Sequence, residues 1–234
     1  MTKEERQNII LDYLFKSGSV QVCDLATTLA VSSVTIRKDL TELEKAGKLY
    51  RSHGKAILIN PFTNNRSVNE KEKYYAEEKN LIGMEASKLI MPNDSIVLAS
   101  GTTIHALARC IHPVGKLTVV SASLQATETL AMIDDVEIIQ LGGVLRHSSL
   151  SVVGKYSEDI LKGCSFSKLY LGVDGIDFDF GISTTDLREA ELNRQMMLTA
   201  QKIIVLADSS KFGRRGFAKI ANLEDIDVII TDSQ

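Results

Sequence analysis

Between residues 32 and 38 the chain places Ser32, Ser33, Thr35, Arg37 and Lys38. Ser32 or Ser33 can cap a helix. Arg37 can grip guanine by two parallel hydrogen bonds or clamp a phosphate, and Lys38 offers a simpler phosphate contact. Asp39 is unsuited to DNA and is expected to cap or pair within the protein. A second polar run carries Arg51, His53 and Lys55, which suits a wing lying along a DNA backbone or in the minor groove. A different chemistry starts at residue 96. There an apolar run, Ile96–Ala99, leads into Ser100, Gly101, Thr102 and Thr103 and then a helical stretch. A helix N-terminus offers unpaired N–H groups and a partial positive charge, Gly101 admits a ligand close to the backbone, and the hydroxyls can donate. The segment reads as a phosphate cradle or as an ordinary capped turn. Ser121 and Ser123 follow another apolar run, and Gly143 and Arg146 a third; Arg146 can neutralise a phosphate or hold a loop. Asp174 and Asp177 can bind hydroxyls or stabilise a turn. Lys211 can meet a phosphate or pair with Asp208. His53, His105, His112 and His147 lack metal-ligand spacing and are tied to no activated Ser or Cys, so neither a metal nor a cofactor is expected.

The elements that would position these groups follow from periodicity. Ile9, Ile10, Tyr13 and Leu14 predict a helix over 3–17 that Gly18 stops. A short helix over 22–29, a turn at 30–32 and a helix over 33–46 make a helix-turn-helix. The apolar stripe of its second helix is Val34 or Ile36, with Leu40 and Leu43. Residues 49–59 read as a hairpin. The polar stretch 60–75 reads as a linker, dividing a helix-turn-helix head at 1–59 from a larger domain at 76–234. Beyond it, the apolar runs 96–99, 117–121, 136–141, 168–173, 203–206 and 228–231 alternate with helices, first near 76–90 and then near 103–111, 124–132, 156–161 and 187–200. That alternation predicts an α/β fold with a largely parallel sheet. Ligands of such sheets bind beyond the strands' carboxyl ends, where all five small-polar motifs fall.

Composition agrees. Of 234 residues 44% are hydrophobic, enough for a substantial core, and no apolar run reaches membrane-spanning length. The charged N-terminus lacks a signal core, and Cys23, Cys110 and Cys164 are too few and scattered for a disulfide framework, so buried thiols in the cytoplasm are expected. Net charge is −3, yet residues 1–58 hold nine Lys/Arg against seven Asp/Glu, while the remainder is acidic. This permits DNA binding by the N-terminal part.

The decapeptide Val31-Ser32-Ser33-Val34-Thr35-Ile36-Arg37-Lys38-Asp39-Leu40 resembles the signature of the DeoR-type bacterial regulators, with Arg6, Ile10 and Leu14 at the matching upstream spacing. Gly47–Gly54 resembles that family's wing, with Lys55 where a second glycine is usual. The resemblance extends over the rest of the chain. It implies a winged helix-turn-helix plus a sensor domain similar to ribose-5-phosphate isomerase, responding to a phosphorylated sugar. Asp174 and Asp177 resemble the carboxylate pair that works on the sugar in those isomerases, and Gly181–Thr184 and Glu189 follow the family pattern. Ala99 and Ala122 stand where the family commonly carries Asp and Asn, which hints at an altered sugar.

The expected function is therefore a DNA-binding repressor of sugar-metabolism genes, binding a double-stranded operator as a homo-oligomer and controlled by a phosphorylated sugar. Two alternatives stay open: a sugar-phosphate isomerase with a DNA-binding appendage, and a ligand-free interaction domain, which an occluded phosphate loop would favour.

Overall fold

The computed structural model of the chain describes residues 1–46, 48–52, 54–58 and 68–233. Two compact units divide at Asn60. In the first, helix α1 (Lys3–Ser17) is followed by strand β1 (Ser19–Gln21), helices α2 (Val22–Thr28) and α3 (Ser33–Lys45), and strands β2 (Leu49–Ser52) and β3 (Lys55–Leu58). Gly18, at φ +72°, ends α1, and its N–H reaches the Leu14 carbonyl. Ser32 caps α3 by accepting from the Thr35 N–H at 3.1 Å. The core joins Ile10 and Leu14 of α1, Leu25 of α2, Ile36, Leu40 and Leu43 of α3, and Leu49 and Ala56 of the strands. Ile36, not Val34, completes the stripe of α3; Val34 is 58% exposed. β1 joins β3 and β2 in a three-stranded antiparallel sheet, a strand more than the expected hairpin.

The second unit contains α4 (Val68–Glu72), α5 (Ala76–Ser87), β4 (Ser95–Leu98), α6 (Thr102–Cys110), β5 (Leu117–Ser121), α7 (Leu124–Leu130), β6 (Val136–Gln140), β7 (Val144–Arg146), β8 (Ser151–Val153), α8 (Lys155–Leu161), β9 (Lys168–Gly172), β10 (Gly175–Asp177), β11 (Gly181–Thr184), α9 (Leu187–Thr199), β12 (Ile203–Leu206), β13 (Ala218–Ala221) and β14 (Val228–Ile230). The six expected apolar runs form one fully parallel sheet in the order β14-β12-β9-β4-β5-β6. Side chains alternate between its faces. Ile96, Leu98, Val119, Tyr170, Ile204 and Leu206 pack with Ile82 of α5, Leu107 of α6 and Leu130 of α7. Val97, Val120, Leu169, Leu171 and Val205 pack with Leu161 of α8, Met196 of α9, and Ile182 and Ile220 of a small antiparallel sheet, β10-β11-β13. β7 and β8 form a separate antiparallel pair.

Three features differ from the sequence reading. The stretch 60–75 contains α4, which is tied into the second unit by a bond from the Val68 N–H to the Ser148 carbonyl and by Val68, 2% exposed. Cys23 is exposed and Cys110 and Cys164 are half-buried, so none is the fully buried thiol expected. The β10-β11-β13 sheet has strands of three or four residues, too short to show a period.

Candidate functional site

On the first unit, α3 carries the polar groups. With 3.6 residues per turn, burying Ile36, Leu40 and Leu43 turns Val34, Arg37, Lys38 and Thr41 to the opposite face. Ser33, Arg37 and Lys38 are exposed and Thr35 is half-buried, its hydroxyl 2.9 Å from that of Ser32. The Arg37 and Lys38 side chains meet no hydrogen-bonding or ionic partner among the described residues, which leaves them free for an external anion. Asp39 is 2% exposed and takes two contacts from the Arg6 guanidinium, 2.5 Å to Nε and 3.0 Å to a terminal nitrogen. It pairs inside the protein, as its type suggested. Arg51 is committed differently: Glu44 of α3 accepts from its backbone N–H at 2.9 Å and from its Nε at 2.8 Å. That fork fastens β2 to α3. Lys55 is exposed on β3; His53 lies outside the described residues.

The second unit holds a cleft of about 580 Å³, counting the space open to solvent. It lies where the strand order reverses, between the carboxyl ends of β4 and β9. Ser100, Gly101, Thr102 and Thr103 line it from β4 and the first turn of α6, and Asp174 lines it beyond β9. Lys211 follows β12, and Arg146 ends β7. Lys71 of α4 and Thr184, Thr185 and Glu189 complete the polar wall. The strand ends approach closely enough that a Cβ at Gly172 would meet the Ser100 carbonyl oxygen at 2.8 Å. Gly101, at φ +112°, turns the chain into α6, whose first N–H groups have no acceptor among the described residues.

Two carboxylates organise the charges. Glu189 accepts from the Ser100 hydroxyl at 2.7 Å, the Thr184 hydroxyl at 2.9 Å and Arg146 at 2.5 Å. Arg146 also reaches Asp186 at 3.3 Å and the Ser149 hydroxyl at 3.3 Å, so it holds the loop while lining the cleft. Asp174 takes the Lys71 ammonium at 2.8 Å and the hydroxyls of Thr184 and Thr185 at 3.1 and 3.3 Å. Burial pushes the Asp174 carboxyl up, but the Lys71 and Lys211 ammoniums outweigh it and hold it well below the usual carboxylate range. A carboxylate so stabilised is a poor proton acceptor. Lys211 stands apart: it makes no ion pair or side-chain hydrogen bond among the described residues. Its expected alternative partner, Asp208, instead accepts from the backbone N–H and hydroxyl of Ser210. Burial pushes the Lys211 ammonium below its ordinary value against the pull of Asp174 and Asp208.

Four of the expected cleft residues lie elsewhere. The Ser121 hydroxyl donates to the Leu98 carbonyl at 3.0 Å and accepts from the Ser123 N–H at 3.0 Å, while Ser123 caps α7. Both are fully buried ties between strands and helix. A Cβ at Gly143 would meet the Val153 carbonyl oxygen at 2.6 Å, so this glycine serves backbone packing. Asp177 accepts from the N–H groups of Asp179 and Phe180 and pairs with Arg215 at 2.9 Å, the turn-stabilising role open to it. Sequence reasoning missed Lys71, Thr184 and Thr185 as cleft residues, and did not foresee Glu189 as the hub. Their signal is tertiary: Lys71 and Asp174 are 103 positions apart.

A helix-turn-helix with a free cationic stripe, on the same chain as an α/β unit whose cleft gathers cations at a sheet switch point, marks a DNA-binding regulator with a second, cleft-bearing domain. Residues 6–62 match the DeoR-like helix-turn-helix domain and residues 75–233 the DeoR C terminal sensor domain. The chain belongs to the DeoR family of transcriptional regulators. It is 38% identical to the putative aga operon transcriptional repressor of Escherichia coli O157:H7, over 97% of this chain and 86% of that one. To the transcriptional repressor GlcR of Bacillus subtilis (strain 168) it is 34% identical, over 99% and 89%. A D-ribose-5-phosphate isomerase in complex with phospho-erythronic acid superposes with a TM-score of 0.42 at 19% identity, covering 58% of this chain and 54% of the other. Among the described residues no helix is long and apolar enough to cross a membrane, and no cluster of His, Cys, Asp and Glu is arranged to hold a metal ion.

Proposed function

We propose that the chain is a repressor of sugar-metabolism genes, binding an operator as a homo-oligomer through α3 and releasing it when a phosphorylated sugar enters the cleft. The observation that carries the effector class is Lys211, a cation lining the cleft with no ion pair or side-chain hydrogen bond among the described residues. It shares that cleft with the unsatisfied N–H groups of α6 and the hydroxyls of Thr102 and Thr103. Together they supply positive charge and several donors, the complement of a phosphate. Asp174 and Glu189 then face the sugar hydroxyls. Repressors among its relatives are named for the aga operon and the lactose phosphotransferase system, which supports the sugar assignment. A homo-oligomer fits because helix-turn-helix proteins read paired half-sites.

The carboxylates support sensing over isomerisation. Proton transfer between carbons needs a free base of matched pKa, whereas Asp174 is held below the usual range by its cations. That Gly101, Thr102 and Thr103 all line the cleft likewise disfavours a ligand-free module.

The test is thermal unfolding of the full chain against pentose, hexose and amino-sugar phosphates, with the free sugars as controls. A stabilising compound that requires its phosphate and then lowers affinity for DNA upstream of the protein's own gene is the expected result. Stabilisation by free sugars alone, or by none of the panel, overturns the effector class and leaves the DNA-binding assignment standing.

A further inference from the structure

Val34 is the unexplained residue of α3. It does not join the core, which Ile36 completes, and 58% of it is exposed. It lies in the first turn of the helix, one turn before Arg37 and Lys38 on the same face and opposite Leu40 and Leu43. Around it the stripe is polar: Ser33, Arg37 and Lys38 are all exposed. Thr41, next along the stripe, has its hydroxyl committed to the Arg37 carbonyl at 2.7 Å. Isolated exposed apolar residues are common and need no explanation by themselves. This one sits in the N-terminal turn of a recognition helix, the part that meets base edges in the major groove. In that groove the one apolar group is the C5 methyl of thymine, and short apolar side chains read it by contact.

We infer that Val34 reads a thymine methyl in each operator half-site, making it a sequence-specifying residue beside the guanine- and phosphate-directed cations. The inference rests on α3 being the reading helix. The contact removes a methyl group and part of an isopropyl group from water without any hydrogen bond. Its worth is that of about one buried methylene, roughly fourfold in affinity. Neighbouring positions keep their own readout, because Arg37 and Lys38 occupy the next turn.

The experiment uses the full chain and a duplex selected by it from a randomised pool. Each thymine of one half-site is replaced singly by deoxyuridine, which keeps base pairing and removes only the methyl. The wild type is expected to lose about fourfold at one position, and Val34→Ala to lose sensitivity at that position alone. Val34→Ser, which introduces a hydroxyl, serves as a second variant, and both should keep the wild-type unfolding midpoint because the site is exposed. Identical deoxyuridine profiles for wild type and variants overturn the inference, as does a selected half-site with no methyl-sensitive thymine. Arg37→Ala is measured in parallel. If it weakens binding while Val34→Ala changes nothing, the Val34 contact alone is wrong. If neither substitution alters binding or the preferred sequence, α3 is not the reading helix.

Discussion

Lys211 shows how much can rest on one side chain. An ammonium in a cleft with no direct ion pair among the described residues, its nearby carboxylates outweighed by burial, is a cost to the empty protein and a gain to the anion-bound one. Burial lowers its folded-state pKa below the unfolded value of about 10.4, so the unfolded chain holds that proton more tightly. The resulting penalty is fully present below the folded pKa and is relieved as pH rises toward 10.4. Lys211→Met should therefore raise the unfolding midpoint of the empty protein at pH 7, and lose most of that advantage in alkali. The same variant should bind the stabilising sugar phosphate about 10- to 150-fold more weakly, the worth of one charge-assisted hydrogen bond of about 1.5–3 kcal/mol. Calorimetric titration of both proteins decides it: equal affinities would place the phosphate away from Lys211. Arg146, by contrast, is engaged by Glu189, Asp186 and Ser149, so its replacement would disturb the cleft even before any ligand entered.

At the scale of elements, what the sequence revealed depended on where each element gets its stability. The four inner parallel strands, β12, β9, β4 and β5, were readable because burial on both faces demands continuous apolar runs. Helix α3 was readable from its stripe and cap, but the choice between Val34 and Ile36 needed the packing. Leu40→Ala, at the centre of that packing, should cost about 2–5 kcal/mol in urea unfolding, while Val34→Ala should cost almost nothing; similar losses would contradict the burial pattern. Helix α4 was not readable, because polar ties hold it: Lys71 to Asp174, Glu72 to Arg109 at 2.9 Å, and Lys79 to the carbonyls of Lys71 and Tyr74 at 2.6 and 2.5 Å. Lys79 is 5% exposed, and burial pushes its ammonium down to about 8 despite the nearby Asp208. With the folded value below the unfolded one, Lys79 makes stability rise between pH 8 and about 10.4, by at most about 1.4 kcal/mol per pH unit. Stability measured across that range should rise less steeply in Lys79→Met. Parallel curves would mean that the ammonium titrates normally.

For the whole molecule, the proposed repressor requires coupling between cleft and operator. The chain passes from β3 through residues 59–67 directly to α4, and α4 places Lys71 on a carboxylate that faces the cleft. A ligand whose hydroxyls engage Asp174 competes with Lys71 for the same oxygens. Any energy by which it displaces α4 is then available at the start of the segment that leads to the DNA-binding unit. If effector and operator favour different arrangements of that segment, their affinities are linked reciprocally. The factor by which saturating effector weakens operator binding must equal the factor by which saturating operator weakens effector binding. Couplings of about 1–3 kcal/mol correspond to factors of about 5–150. Lys71→Met should move both factors together toward one while leaving operator affinity without effector near its wild-type value, because Lys71 is remote in sequence from α3 and belongs to the second unit. Fluorescence anisotropy with labelled operator supplies one factor and calorimetry with pre-formed complex the other. An undiminished factor in the variant would remove α4 from the coupling route, and a factor of one in the wild type would mean that the cleft does not control the operator at all.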